Sequence, residues 1–227
     1  MALNVVMLGP PGAGKGTQAE RLSRAFGIPK VSTGDILREC ATSGTALGGR
    51  IRETMAGGQL VGDEIMNEIV RERLARPDAV AGFVLDGFPR TVAQAEALDA
   101  MMAGRGRLTV VHVVVPMDVL VSRLGARRIC DSCGANAAPG VPHDSPCPAC
   151  GGRYVQRADD GESVVRERLA VFERQTQPLV EYYRARALFV AIDGNRAPDE
   201  VTAAMREAVE AQVAVRAARP ATREEHA

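Results

Sequence analysis

The stretch Gly9-Pro10-Pro11-Gly12-Ala13-Gly14-Lys15-Gly16-Thr17, set directly after the apolar run Leu3 to Leu8, constrains this chain more than any other. So short and apolar a run reads as a strand buried on both faces. Lys15 to Phe26 then carries a helical pattern. A glycine-rich turn between strand and helix lets backbone N–H groups approach an anion with no Cβ in the way. The positive end of the following helix faces the same point. Lys15 supplies a point charge there.

The stretch matches the Walker A pattern G-x-x-x-x-G-K, with Gly16 where Ser or Thr is usual and Thr17 one place later. By itself this pattern says nucleoside triphosphate and does not separate kinase, GTPase and ATPase. Strands alternating with helices surround it. Val31-Ser32, Phe83 to Leu85, Leu108 to Val115 and Leu188 to Ile192 read as further strands. Helices are expected at Ile36 to Cys40, Leu47 to Ala56, Asp63 to Ala75 with Asp63 as cap, Val92 to Met102 and Asp118 to Arg128. Others are expected at Glu162 to Gln177, bent or restarted at Pro178, and at Asp199 to about Val215. This alternation predicts an α/β fold with a parallel sheet. Ligands in such sheets sit at the carboxyl ends of the strands, so Gly9 and Asp86, each following a strand, point at one crevice.

Basic and acidic side chains balance at 28 each, so no global charge favours nucleic acid or a membrane surface. Any anion site depends on where individual arginines stand. The opening MALNVVML has neither the length nor the basic flank of an export signal, which predicts a cytoplasmic protein.

Four of the five cysteines cluster, as Cys130-x2-Cys133 and Cys147-x2-Cys150 with 13 residues between the pairs. This is the spacing of a zinc ribbon, with Gly134 and Gly151 for the tight turns. Four thiolates leave no open position on the ion, so such a site is structural. Disulfides, an empty site and iron are the alternatives. The surrounding segment, Cys130 to Asp160, is rich in Gly, Pro and Asp and reads as an inserted module that metal would help to fold. Cys40 reads as a core thiol.

Further matches run in order along nearly the whole chain. They are Gly9 to Gln18, Ser32-Thr33-Gly34-Asp35, Arg38, Gln59-Leu60-Val61, Asp86-Gly87-Phe88-Pro89-Arg90 with Gln94, Arg123 with Arg127-Arg128, Arg157 with Asp159-Asp160, Arg166 with Arg168, and Asp193-Gly194. In these the chain resembles the adenylate kinase family of nucleoside monophosphate kinases, in its zinc-lid form. The resemblance implies a P-loop NTPase fold: a five-stranded parallel sheet flanked by helices, with an NMP-binding helical insert and a small zinc-ribbon-like lid. The core would comprise residues 1–31, 62–127 and 162–216, the NMP-binding segment 32–61 and the lid 128–161, with a flexible tail at 217–227.

It also implies roles. Lys15, Arg90, Arg123, Arg157 and Arg168 would carry catalysis. Gly12, Ala13, Gly14, Lys15, Gly16, Thr17, Arg123, Arg127 and Arg196 would bind ATP. Thr33, Arg38, Gln59, Val61, Gly87, Arg90, Gln94, Arg157 and Arg168 would bind AMP, and Asp86 would hold the water shell of Mg2+. Cys130, Cys133, Cys147 and Cys150 would hold Zn2+. Physically, Arg123 and Arg127 are i,i+4 on one helix face. Unpaired guanidinium groups in one cleft repel each other, and the phosphates of two nucleotides remove that conflict. Phe88-Pro89 resembles a dipeptide that often carries a cis bond in the family. Asp159 and Asp160 either orient lid arginines or cap the next helix. Thr33 either faces the acceptor base or caps a helix.

The expected reaction is reversible transfer from Mg-ATP to AMP giving two ADP, by a monomer. Thr33 and Gln94 favour AMP over the acceptors of UMP/CMP-type relatives, since a carboxamide pairs with adenine's N6 and an adjacent ring nitrogen. The lid between its cysteine pairs has no aromatic residue, only His143, which leaves a GTP-using kinase as an alternative. A zinc-ribbon nucleic-acid-binding NTPase is the rival from another class. Residues 130 to 160 hold only two Arg, one Tyr and no Lys, a poor platform for that purpose. A switch GTPase would need an N-K-x-D segment, and the chain has none.

Overall fold

The computed structural model describes residues 2–157, 159–185 and 188–218, with side chains in the last helix described to residue 212. Strand β1 (Leu3–Leu8) leads through the glycine loop into α1 (Lys15–Phe26). Then come β2 (Lys30–Ser32), α2 (Thr33–Ala41), α3 (Ala46–Ala56) and α4 (Asp63–Leu74). After a short 3-10 turn follow β3 (Gly82–Asp86), α5 (Val92–Met101), β4 (Leu108–Val114) and α6 (Met117–Ala126). The inserted module carries β5 (Arg128–Cys130) and β6 (Tyr154–Gln156). The chain closes with α7 (Glu162–Val171), α8 (Pro178–Arg184), β7 (Leu188–Asp193) and α9 (Pro198–Ala218).

The main sheet has the order β2-β3-β1-β4-β7, and its paired strands are all parallel. Its strands are nearly continuous apolar runs because both faces are covered. Val6 and Leu8 point to one side, where Met66, Val70, Leu98 and Tyr183 of α4, α5 and α8 complete a core. Val5 and Met7 point to the other, against Leu22, Leu124, Leu169 and Met205 of α1, α6, α7 and α9. Because β1 lies centrally, the turn that leaves it opens beside the carboxyl end of β3 and beside β4.

Several expectations shift locally. Asp63 is the first residue of α4, and Gly62, with no side-chain bond, holds the cap position. Ser32 caps α2 by accepting from Asp35 N at 3.2 Å, because its backbone is extended while Thr33 has already entered the helix. The helix expected through Gln177 ends at Val171, and a π turn spans Phe172–Thr176, closed by Gln177 N donating to Phe172 O at 2.8 Å. Pro178 has no N–H with which to carry the ordinary ladder onward, and the wider turn comes just before it. The last helix runs to Ala218, past the expected start of the tail at 217, and 219–227 lie outside the described residues.

The module is a two-stranded antiparallel ribbon of β5 and β6, with Arg128 opposite Gln156 and Cys130 opposite Tyr154. Among the described residues its apolar core is Cys130, Cys147 and Tyr154, with Ala135, Ala137 and Val141 at the edge.

Candidate active site

The glycine loop is built as the sequence predicts. Gly9, Gly12 and Gly14 have φ of +144°, +85° and +87°. A Cβ on Gly9 would lie 2.6 Å from Val113 O, and one on Gly12 would lie 2.9 Å from Leu124 Cγ. Gly14 caps α1 with its backbone alone, so no side chain occupies the first amides of that helix. Ala13 is buried and Thr17 exposed. A Cβ on Gly16 would stand 3.2 Å from Asp86 Oδ2. The Asp86 carboxylate therefore lies against the loop where a Walker A sequence usually has a hydroxyl.

Lys15 Nζ donates to Pro10 O at 2.8 Å. Burial lowers its pKa to about 8, Asp86 opposes that shift, and Arg90, Arg168 and Arg127 add to it. The same charges bear on one another. Burial lowers Arg90, and Arg168 and Arg38 push the same way. Burial, Arg127 and Arg38 bring Arg157 down to about 10. Arg168 is lowered by burial first, and by Arg127 and Arg38 after the opposing pull of Asp159. The structure thus brings Lys15, Arg38, Arg90, Arg127, Arg157 and Arg168 into one cationic cleft.

Two carboxylates hold part of this set. Asp160, 2% exposed, accepts from Arg127 through both oxygens, with Nε at 2.6 Å from Oδ2, and from Arg168 at 3.1 Å. Asp159 pairs with Arg157 at 2.7 Å and with Arg168 at 3.0 Å. Burial works to raise the pKa of Asp159, but Arg168 and Arg157 outweigh it and hold the carboxyl below its usual value. Gly161 caps α7 without a side-chain bond, so the two aspartates serve the arginines and leave the cap to backbone. Arg157 Nε, although near Asp159 Oδ1, is buried with no hydrogen bond of proper direction.

On the acceptor side, Gly87 has φ +86°, and a Cβ there would lie 2.7 Å from Thr33 Oγ1 and 3.3 Å from a terminal nitrogen of Arg90. Thr33, fully buried, donates to Asp86 O at 3.4 Å. The Phe88–Pro89 bond is cis. Arg90 Nε donates to Gly87 O at 2.9 Å, and its carbonyl accepts from Thr176 Oγ1 at 2.9 Å. Gln94 is buried beside them. Arg38 pairs with Asp35, and Val61 packs into the core. Gln59 Nε2 donates to Glu167 Oε1 at 2.9 Å, so its side chain turns to α7.

On the donor side, Arg123 donates to Gly194 O at 3.0 Å, reaching the turn after β7. Arg196, in that same turn, is exposed and stands 3.4 Å from Glu200. Neither has a described contact with the loop. His143 pairs with Asp144 at 2.7 Å. Sequence reasoning missed Asp63 as the partner of Gln94, Thr176 as the anchor of Arg90 and Glu167 as the partner of Gln59. Each is a side chain more than 30 residues away from its partner, with no motif to mark it, as in Gln94 with Asp63.

The four module cysteines have their Sγ atoms within 4.8 Å of one another, with Cys130 to Cys150 at 3.4 Å and Cys133 to Cys147 at 3.7 Å. All are free. A tetrahedron of Zn–S bonds of about 2.3 Å spaces its sulfurs about 3.8 Å apart, whereas a disulfide needs about 2.05 Å. The donor set and its spacing fit zinc. Knuckle turns at Gly134 N to Cys130 O, 3.0 Å, and Gly151 N to Cys147 O, 2.8 Å, shape both pairs. The N–H of Ala149 and the Tyr154 hydroxyl bring Cys147 down to about 6, while Cys130 and Cys133 push Cys150 up to about 12 against the N–H of Gly152. Cys40 is half-buried and packs on the core. For Mg2+, the Asp86 carboxylate beside the loop is the hard oxygen donor such an ion takes.

The adenylate kinase family model matches residues 7–188. The chain is 49% identical over 201 residues to an adenylate kinase of Archaeoglobus fulgidus, covering 86% of this chain and 92% of that one. It is 51% identical over 202 residues to one of Moorella thermoacetica, with the same coverage. It is 47% identical over 215 residues to one of Geobacillus, covering 90% of this chain and 97% of the relative.

Proposed function

The chain belongs to the adenylate kinase family, and from that premise we propose how its residues divide the work of reversible phosphoryl transfer from Mg-ATP to AMP, giving two ADP. The observation that carries the reading is the cationic cleft around the glycine loop, held ready by Asp159 and Asp160 and with a buried donor of Arg157 still unsatisfied.

ATP lies with its phosphates on the backbone of Gly12 to Thr17. Arg123, Arg127 and Arg196 border the donor, the first from α6 where it bonds Gly194 O, the last from the turn after β7. AMP lies between the NMP-binding segment, 32–61, and the core, with its phosphate met by Arg38, Arg90, Arg157 and Arg168. Thr33, Gln59, Val61, Gly87 and Gln94 enclose its nucleoside. An AMP phosphate oxygen attacks the γ-phosphorus in line, and the bond to the oxygen bridging γ and β breaks. The electron pair leaves with ADP, and no protein atom bonds to phosphorus. Lys15 exchanges its Pro10 contact for phosphate oxygens and, with the arginines, matches the charge as it shifts. Asp86 would hold the water shell of Mg2+, which when bound would supply further charge neutralisation for the triphosphate. Closing the lid, 128–161, over the donor excludes water and so suppresses hydrolysis. Zinc on the four cysteines keeps the lid's shape and stands outside the chemistry.

Among the described residues no helix is long and apolar enough to cross a membrane. With balanced charge overall, we read the protein as a cytoplasmic monomer acting on free nucleotides, with no nucleic-acid partner. The test is an acceptor panel: purified protein with Mg-ATP or Mg-GTP against AMP, GMP, CMP and UMP. The reading expects AMP with ATP to be fastest, and failure to phosphorylate AMP would end it.

A further inference from the structure

Gln94 lies in the first turn of α5 with 2% of its surface exposed, and both ends of its carboxamide are engaged. Oε1 accepts from Arg90 N at 2.8 Å, and Nε2 donates to Asp63 Oδ1 at 2.7 Å. The second Asp63 oxygen accepts from Thr91 Oγ1 at 2.9 Å, which fixes the carboxylate in turn. Asp63 opens α4 and Thr91 caps α5, so the contact is anchored on two helix ends.

These neighbours leave the amide no choice of polarity. A carboxylate only accepts and a backbone N–H only donates. Turned over, the amide would set oxygen against oxygen and N–H against N–H, losing two hydrogen bonds and leaving buried polar groups unpaired. In the orientation observed, the group keeps one N–H and one oxygen lone pair for a ligand.

That remaining pair has a direction. A 6-aminopurine presents an N–H donor beside a ring nitrogen acceptor. A 6-oxopurine presents a carbonyl acceptor beside a ring N–H. A carboxamide serves either edge if it is free to turn over, and only one of them if it is held. We infer that Asp63 sets the acceptor site's preference for 6-amino over 6-oxopurine monophosphates by locking the polarity of Gln94. Asp63 is a positioning residue, and the inference rests on the reading that Gln94 faces the acceptor base.

The test compares AMP with inosine monophosphate, which differs from it only in carrying the 6-oxo edge. Asp63→Asn replaces one acceptor with a group that can also donate, so the Asp63 side no longer dictates the polarity of Gln94 and only the Arg90 N–H still favours the observed orientation. Asp63→Ala removes the Asp63 half of the lock and leaves the Arg90 N–H half. In each variant the ratio of kcat/KM for AMP to that for inosine monophosphate is expected to fall by up to about tenfold, part of what a bidentate base contact commands, because the Arg90 N–H still favours the observed orientation. KM for ATP should stay unchanged, and thermal unfolding of each variant identifies any loss of fold. A lost structural helix end would slow both acceptors together and leave the ratio alone. Gln94→Ala is the control. If it shifts the ratio and neither Asp63 variant does, the inference is overturned and the acceptor reading stands. If Gln94→Ala leaves the ratio and the KM for AMP untouched, Gln94 does not read the base and both fall.

Discussion

Lys15 donates to the carbonyl of Pro10, 2.8 Å away within the same loop, and so spends the free state bonded to the very turn on which phosphates would rest. Its pKa is down at about 8 from 10.5, by burial and by the arginines beyond the opposing Asp86. Between those two values the unfolded chain holds more protons than the native one. Stability from this group therefore rises as pH goes from about 8 to 10.5, and it is lost as pH falls back through the folded value. Bound phosphate should return the pKa upward. Nucleotide binding at pH 8 to 8.5 should therefore take up a fraction of a proton, read by calorimetry in buffers of differing ionisation enthalpy. Lys15→Met should abolish the uptake, cut turnover by about two orders of magnitude or more, and leave the free protein at neutral pH as stable as before or more so. Normal turnover in that variant would sink the assignment.

Asp160 joins the lid's root to α7 through Arg127 and Arg168. Asp160→Asn should cost about 3 kcal/mol, the range for breaking a buried pair by removing one partner. A urea midpoint unchanged from the parent would count against it. Asp159 adds a pH signature: its carboxyl is held below 3.8, so its contribution is present above about pH 4 and fades as pH falls through the lower folded value.

Metal analysis should find about one zinc per chain. Chelation should leave the parallel sheet intact and expose 130–156 to protease, since the module's own apolar core is three side chains. Equal protection with and without chelator would show that the module folds unaided.

Gly87→Ala should cost about 1–2 kcal/mol for its left-handed backbone alone. It should also raise KM for AMP well above that for ATP, because the new methyl would push on Thr33 and Arg90. Equal effects on the two substrates would argue that Gly87 does not line the acceptor side.

The strands were legible because both faces of the sheet are covered, which leaves runs such as Leu3 to Leu8 apolar at every position but one. The loop was legible because backbone approach to an anion demands glycine in a fixed pattern. Neighbouring residues with like chemistry were not resolved. Ser32 and Thr33 can each cap a helix, and only the backbone angles decide that Ser32 does. Asp63 carries an acid in a first turn, as caps do, yet its oxygens go to Thr91 and Gln94, a pairing set by how α4 meets α5. The π turn before Pro178 depends on which carbonyl loses its donor, and periodicity does not record that.

The crowding of cations around Lys15 has a consequence at a distance. The chain as a whole is neutral, and the cleft holds more positive groups than carboxylates. A phosphate-bearing ligand approaching the cleft meets this local excess of positive charge before it makes contact. Encounter rates should therefore fall with added salt more steeply than neutrality suggests, within a Debye length of about 8 Å at physiological ionic strength. A cleft built this way concentrates positive charge locally on a chain whose charges balance overall.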